Sequence, residues 1–487
     1  AILKKIKVKG SRFIIVFLTI VLFFIDIRGS VSAVPATRKW ASVSKDEFLN
    51  KTVINPFRNF KYAYGDFQKV NILNGKNPYL SEEEFKKEYN LESVNQLLKK
   101  YSQGPIIEKP KQIFLVVMES YDSWPILDKY APFGFSKNLK RMADNGMYFP
   151  VFLPAADATF DSFGAIVTDV PYCGVNISRL AEMRDPFITS IFTQFKKLGY
   201  QTNLYYGGFL SWQNIGNFCK HQGVDRIFSG PDAGGVSESG DWGVEDEKLF
   251  DLVLKNTDTE IPSLNIILTS RYHPPYAIDI YKKGFPYHSE EDFPKEVREY
   301  YDKGMSFEAM GHLWYGDKTI GDFVEIAEKK YDNSLYAFTG DHFGRRFINH
   351  KPNLYEKSSV SFILYGKNIP VEKNTSPGSH IDILPTLIEM IAPKGFEYYS
   401  FGNSLLDENK EKSITYKKIV DKDAIFYLPK DGKKYKINLS SMQEQELGAQ
   451  DTLLADYNKF MSLAWHYTVK GDSLFSLSPQ TAKNLKN

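Results

Sequence analysis

The sequence predicts an α/β protein built on a largely parallel central sheet, and two patterns carry the prediction. Residues 113–118, Ile-Phe-Leu-Val-Val-Met, form a continuous apolar run of the kind buried on both faces of a sheet. Similar runs recur at 202–206, 264–268, 335–339 and 361–365. Helical spacing lies between them: 188–198 carries apolar residues on one face and stops at Gly199, and 318–330 does the same ahead of Asp332-Asn333. Strands that alternate with helices favour a parallel sheet. The 487 residues correspond to roughly three units of about 150, two of which a large α/β domain can absorb.

Composition narrows the function classes. With 43% hydrophobic and 25% charged residues, the chain is not disordered as a whole. Lys+Arg (61) nearly balances Asp+Glu (59), so no global charge draws it to nucleic acid. Cys173 and Cys219 are too few for a disulfide scaffold, although they could form one bond or remain two buried thiols. The high aromatic share, 15%, fits a protein that faces carbohydrate or lipid.

Taken in order, the elements begin with a basic flank and an apolar segment over 1–36. Lys4, Lys5, Lys7, Lys9 and Arg12 precede an apolar run from 13 to 25, broken only by Thr19. It is short for a membrane span and nearer the core of a signal peptide, with small residues over 30–36 where a peptidase would cut. The rival reading is the last span of a larger membrane bundle with its basic flank cytoplasmic. The chain opens on Ala1 rather than Met, which suits a start inside a longer polypeptide. Both readings place the chain beyond about residue 30 outside the cytoplasm. Residues 37–103 read as a polar linker with a short helical segment near 81–101. Residues 104–407 hold the strand–helix alternation. The last part, 408–487, reads as a small α+β appendage: strand-like pieces at 424–428 and 435–439, then a helix from Ser441 to about Tyr467.

Ligands of open α/β sheets bind beyond the carboxyl ends of the strands, so the residues just past each run matter most. The first run ends in Glu119-Ser120, the second in Gly207-Gly208, the third in Thr269-Ser-Arg-Tyr-His273, and the fourth in Gly340-Asp341-His342. A lone carboxylate there can be a helix cap. Glu119, Asp341 and His342 together make an oxygen-rich cluster with one imidazole, suited to Mn²⁺ or Mg²⁺ more than to Zn²⁺. Asp157-Ala-Thr159-Phe-Asp-Ser-Phe-Gly164 supplies a hydroxyl at a helix start, where free N–H groups favour phosphate. Bound to a divalent cation, that hydroxyl could attack without an adjacent base; otherwise Thr159 is an N-cap.

These segments together resemble the sulfatase-like branch of the alkaline phosphatase superfamily, in particular the lipoteichoic acid synthase type of phosphoglycerol transferase. The matching pieces are Val117-Met-Glu-Ser120, Thr159-Phe-Asp-Ser162, Asp241-Trp-Gly-Val-Glu-Asp246 and His273-Pro-Pro-Tyr276. They continue with His312-Leu-Trp-Tyr-Gly-Asp317, Gly340-Asp-His342 and Ser379-His-Ile-Asp-Ile-Leu-Pro-Thr386. Asn55-Pro-Phe also looks like the family's link between membrane region and enzyme domain. The resemblance implies an alkaline phosphatase/sulfatase-like sandwich. It implies Thr159 as nucleophile, Glu119, Thr159, Asp341 and His342 around one Mn²⁺ or Mg²⁺, and His273 at the transferred group or leaving alcohol. Trp212 and Trp242 would line the head-group pocket. It also implies a membrane phospholipid donor, phosphatidylglycerol foremost, a polyol or glycan acceptor, and a catalytic domain on the outer side of a bacterial membrane. Two positions depart from the pattern: Asn214 stands where the synthases carry an arginine, and Tyr206 stands near a pocket histidine. Arg271 is the candidate replacement charge. His312, Asp317, His380 and Asp382 also match, either in the site or as caps and supports of the sheet edge. The alternatives are a phosphoethanolamine transferase, or a phosphodiesterase or sulfatase-like hydrolase of the same superfamily. Cys173, in Cys-Gly-Val-Asn-Ile, lacks the Cys-x-Pro-x-Arg pattern from which sulfatases make formylglycine.

Overall fold

The buried apolar runs become strands of one sheet in the computed structural model. It describes residues 9–29, 31, 49, 52–71, 76–89, 92–178, 180, 185–234, 243–428, 433–448 and 451–472. The strands are β1 (Gln112–Met118), β2 (Met147–Phe149), β3 (Gln201–Tyr206), β4 (Arg226–Ser229), β5 (Ser263–Leu268), β6 (Ser334–Gly340), β7 (Phe362–Tyr365) and β8 (Glu372–Lys373). Their order in the eight-stranded sheet is β8-β2-β7-β6-β1-β5-β3-β4. From β6 through β4 every pairing is parallel. The sheet is largely parallel, as expected, but mixed: β8 also pairs parallel with β2, and only β7 runs antiparallel to its neighbours, β6 and β2. The reason lies in the connection: no helix crosses between β6 and β7, so the chain turns back at the end where it left β6.

Among the described residues the helices of seven residues or more are α1 (Lys9–Arg28), α2 (Pro56–Asn71), α3 (Glu82–Glu88), α4 (Lys137–Asp144), α5 (Thr159–Thr168), α6 (Ile191–Lys197), α7 (Ile215–His221), α8 (Asp246–Asn256), α9 (Phe307–Lys330), α10 (Ile383–Ile391) and α11 (Asp451–Lys470). Alternate residues of β1 face opposite layers, as strand geometry requires. Ile113, Leu115 and Val117 pack with Phe163, Phe192, Ile215 and Leu387 of α5, α6, α7 and α10. Phe114, Val116 and Met118 pack with Met142, Phe250 and Phe323 of α4, α8 and α9. Cys173 and Cys219 are buried and free.

The amino-terminal elements lie outside these two layers. The apolar side chains of α1 are mostly exposed, Phe13 at 76%. Asn55 Nδ2 donates to Asp26 Oδ2 at 2.9 Å, and the Phe23 and Phe57 rings meet at 6.0 Å, which joins α1 to α2. Among the described residues no helix is long and apolar enough to cross a membrane. Apart from Val31, residues 30–36, the expected cleavage segment, lie outside the described residues. Further on, Ser81 and Glu84 form a capping box at α3, and a short strand, Lys99–Tyr101, pairs with Glu397–Tyr399.

Past residue 408 the chain forms a five-stranded antiparallel sheet, β9 (Lys412–Thr415), β10 (Lys418–Asp421), β11 (Ala424–Tyr427), β12 (Lys434–Asn438) and β13 (Glu444–Leu447), followed by α11. The helix expected from Ser441 starts at Asp451 instead. Asn438 Oδ1 accepts the Ser440 and Ser441 N–H groups, both at 3.0 Å, and this turn sends 444–447 back as a strand.

Candidate active site

Two strand ends build the site. β1 delivers Glu119 and Ser120, and β6 delivers Asp341 and His342. Gly340 is obligatory at the end of β6, since a Cβ there would lie 1.8 Å from the Tyr121 carbonyl oxygen. Asp341 Oδ1 accepts two backbone N–H groups, from Ser120 at 2.7 Å and His342 at 2.6 Å. Its Oδ2 is buried with no hydrogen-bond partner. His342 donates Nδ1–H to the Phe343 carbonyl at 2.7 Å, so Nε2 carries the lone pair, 3.6 Å from that orphaned oxygen. Glu119 Oε1 accepts from Ser120 Oγ at 2.8 Å and Oε2 from Thr159 Oγ1 at 3.3 Å. Burial pushes the Glu119 carboxyl well above its ordinary range, and the adjacent Asp341 charge adds to this.

This donor set fits a divalent cation. Glu119, Asp341 and His342 each offer one ligand atom within 4.8 Å of the others, and all three residues are buried. Two carboxylates side by side out of water call for a positive partner. The bare Asp341 Oδ2 and the inward Nε2 are where such an ion would bind. Thr159 completes the group as the first residue of α5, after an extended Ala158. Its Oγ1 lies 3.3 Å from both Glu119 Oε2 and His342 Nε2. The α5 start also presents backbone amides that have no acceptor within the helix.

The cluster opens into a cavity of about 300 Å³ whose lining includes Thr159, Trp212, His273, Asn176, Arg345 and Arg346. His273 donates Nδ1–H to the Pro274 carbonyl at 2.7 Å, which makes Nε2 the basic atom of the neutral ring. Trp212 packs near Phe160 at 6.3 Å and Tyr206 at 6.0 Å. Arg345 Nη2 donates to the Asp157 carbonyl at 2.7 Å, and Arg346 Nη1 to the Arg345 carbonyl at 3.1 Å. A larger cavity of about 880 Å³, lined in part by Lys129, Tyr148 and Met442, shares no residue with this one.

Not every residue singled out in the sequence reaches the cavity. Tyr206 is buried behind Trp212 and is not part of the lining. Asn214, at φ 60, turns its Nδ2 to the Ser178 carbonyl at 3.1 Å, while its neighbour Gln213 faces the cavity. Arg271 is buried outside the lining; its Nη1 donates to the Gly243 carbonyl at 3.4 Å. It also faces Asp246, whose carboxyl burial pushes up to about 7 against the pull of Arg271. Trp242 lies outside the described residues. The arginines that line the cavity are Arg345 and Arg346, which the sequence pattern did not single out. The available signal was their place, three and four residues after His342.

The remaining motif residues support the frame. His312 Nε2 accepts the Ile278 N–H at 3.1 Å, and its Nδ1–H donates to the Glu308 carbonyl at 2.8 Å. His380 Nδ1 accepts from Ala155 at 3.2 Å and Nε2–H donates to the Gly340 carbonyl at 2.9 Å, tying the Thr159 loop to the end of β6. Asp317 caps α4, and Asp382 accepts from Ser379 and Lys410.

Sheet and site together define an α/β fold of the alkaline phosphatase and sulfatase type. Residues 111–392 match the sulfatase family model, and the chain belongs to that family. Among curated proteins it is similar to lipoteichoic acid synthase 1 of Bacillus subtilis, with 22% identity over 296 residues, 53% of this chain and 43% of the relative. It is 20% identical over 244 residues to the lipoteichoic acid synthase of Staphylococcus aureus, 46% of this chain and 35% of the relative. The chain thus spans less than half the length of these relatives. Among solved structures, an alkaline phosphatase superfamily protein from Vibrio parahaemolyticus aligns over 85% of this chain and 98% of its own, with TM-score 0.62 and 18% identity. The lipoteichoic acid synthase LtaP of Listeria monocytogenes aligns over 77% and 95%, with TM-score 0.59 and 16% identity.

Proposed function

We propose that the protein is a phosphoglycerol transferase that works outside the cytoplasm and moves a phospholipid head group through a covalent phosphoryl-threonine. The observation that carries this reading is the Thr159 hydroxyl, 3.3 Å from both a carboxylate and an imidazole at the start of α5. The names of its sequence relatives, lipoteichoic acid synthases, support it. A Mn²⁺ or Mg²⁺ ion held by Glu119, Thr159, Asp341 and His342 would supply Lewis acidity and lower the pKa of the threonine hydroxyl. Thr159, its proton lost to solvent, attacks phosphorus through Oγ1, the bond to the diacylglycerol oxygen breaks, and His273 in its imidazolium form gives that oxygen the proton of Nε2–H. An acceptor hydroxyl on a polyol or glycan then attacks the phosphothreonine, with its proton passing to His273, and Thr159 is restored. Arg345 and Arg346 hold the phosphate oxygens, and Trp212 packs against the head group. Phosphatidylglycerol is the expected donor.

One observation favours a second reading, phosphoethanolamine transfer: Asp161 also lines the cavity and offers a carboxylate to an ammonium group. The test is peptide mass spectrometry after incubation of the purified chain with Mn²⁺ and mixed phospholipids, beside Thr159→Ala. A glycerophosphoryl adduct on the Thr159 peptide, absent from the variant, is the expected result. A phosphoethanolamine adduct selects the second reading. If no adduct forms while phospholipid is cleaved equally by both proteins, Thr159 is not the nucleophile.

A further inference from the structure

We infer that Lys418, from the carboxy-terminal sheet, is a positioning residue for the nucleophile loop and so makes that sheet part of the active site. This rests on the assignment of Thr159 as nucleophile. The ammonium of Lys418 on β10 donates to Asp157 Oδ1 at 2.8 Å, two residues before Thr159. Two positions before Lys418, the Tyr416 N–H group reaches the same loop, donating to the Ala155 carbonyl at 3.2 Å. From the other side, Arg345 donates to the Asp157 carbonyl. Asp157 therefore joins Lys418 to a cation of the cavity wall, and one contact sets both that arginine and the approach to Thr159.

The energetics favour a positioning role over simple attachment. The Lys418 side chain is 7% exposed while its partner carboxylate is 56% exposed. An ion pair with one half in water adds little stability. The sheet is already fastened to the core by Lys410 and Ser413, both 2.8 Å from Asp382 oxygens. What the Lys418 contact adds is a fixed Asp157, in a loop whose neighbours are also tied. The Ala155 N–H meets His380, and the Ala156 N–H meets Ser162 Oγ at 3.1 Å.

The test compares wild type, Lys418→Met, Lys418→Arg and Asp157→Asn. One readout is turnover of bis(p-nitrophenyl) phosphate with Mn²⁺; the other is deuterium exchange of the peptide spanning 154–160 in metal-free protein. Lys418→Met is expected to lower kcat about 10- to 100-fold with KM nearly constant, as a displaced nucleophile does. It also speeds exchange in that peptide alone, and Lys418→Arg restores both. Adding Lys418→Met to Asp157→Asn costs little more, because the two act through one contact. Unchanged exchange at 154–160 in Lys418→Met, or an increase spread equally over β1 and β5 peptides, overturns the inference. Were wild type to turn over no phosphodiester, the functional reading would fail while the exchange readout still decided the role of Lys418.

Discussion

Asp341 shows how one residue's bonding specifies a ligand. Two backbone donors saturate Oδ1, and Oδ2 is left buried beside the Glu119 carboxylate and the His342 Nε2. A cation relieves that arrangement, so Mn²⁺ added to metal-free protein raises the unfolding midpoint, by about 2.7 kcal/mol of stability at a hundredfold excess over Kd. Asp341→Asn abolishes the rise in a calorimetric titration, and an unchanged rise in that variant would place the ion elsewhere. His312 tests a different property. Burial lowers its pKa from 6.5 to about 4. Between those values the unfolded chain takes a proton that the folded chain refuses, so stability falls as pH drops through that window, by about 1.4 kcal/mol per unit. His312→Gln removes that dependence; in urea unfolding it loses about 2 to 3 kcal/mol less than wild type between pH 7 and pH 4.5. Glu119, Asp341 and His342 were legible in the sequence because each lies just past an apolar run, and strand ends converge by geometry. Arg345 and Arg346 were not, because their loop carries no periodic pattern; Arg271 lies outside the cavity lining, because the residues after a strand can also turn inward.

At the scale of elements, long-range contacts decide what local pattern leaves open. The five parallel runs through β4 needed no more than their apolar composition, apart from β4 itself, which is short and half-exposed. The reversal of β7 depends on the route of the chain after β6, which no propensity records. Helix α4 is a second case. Its N-cap, Ser136, makes no capping bond, because its hydroxyl pairs with Tyr121 at 2.6 Å. Asp317, from the middle of α9, substitutes: Oδ2 accepts the Asn138 N–H at 2.9 Å and Oδ1 the Leu139 N–H at 2.8 Å. Capping across helices leaves only an isolated acid in the sequence. Asp317→Ala orphans one buried and one part-buried donor and is expected to cost about 2 kcal/mol in denaturant unfolding. Asp317→Asn, which keeps one acceptor, costs less; equal stability for Ala and wild type would show the cap to be idle.

Across the whole molecule the carboxy-terminal sheet is bound to the core by charges that lie far apart in sequence, Lys418 and Asp157 by 261 positions. Such pairings escape a reading by local pattern, which finds in 408–487 only an appendage that packs. The strongest of them is Lys410 with Asp382, whose side chains are 2% and 1% exposed. Asp382 also accepts from Ser379, Asn403 and Ser413, so one carboxylate holds the turn before α10, the strand start at β9 and the lysine together. Removing a single partner of a buried pair leaves its charge uncompensated, and the cost is typically about 3 to 5 kcal/mol. Because this junction is shared, the loss in Lys410→Met is expected to register equally in both parts. Tryptophan fluorescence reports Trp124 in the core and Trp465 in α11, both buried, so the two can be followed separately through single-tryptophan variants. Coincident midpoints, both shifted down in Lys410→Met, mean that sheet and core fold as one cooperative unit, as the positioning role proposed for Lys418 requires. A Trp465 transition well below that of Trp124 in the unsubstituted chain would instead mark an independently melting tail, incompatible with a fixed Lys418–Asp157 contact at the temperature where the tail is lost.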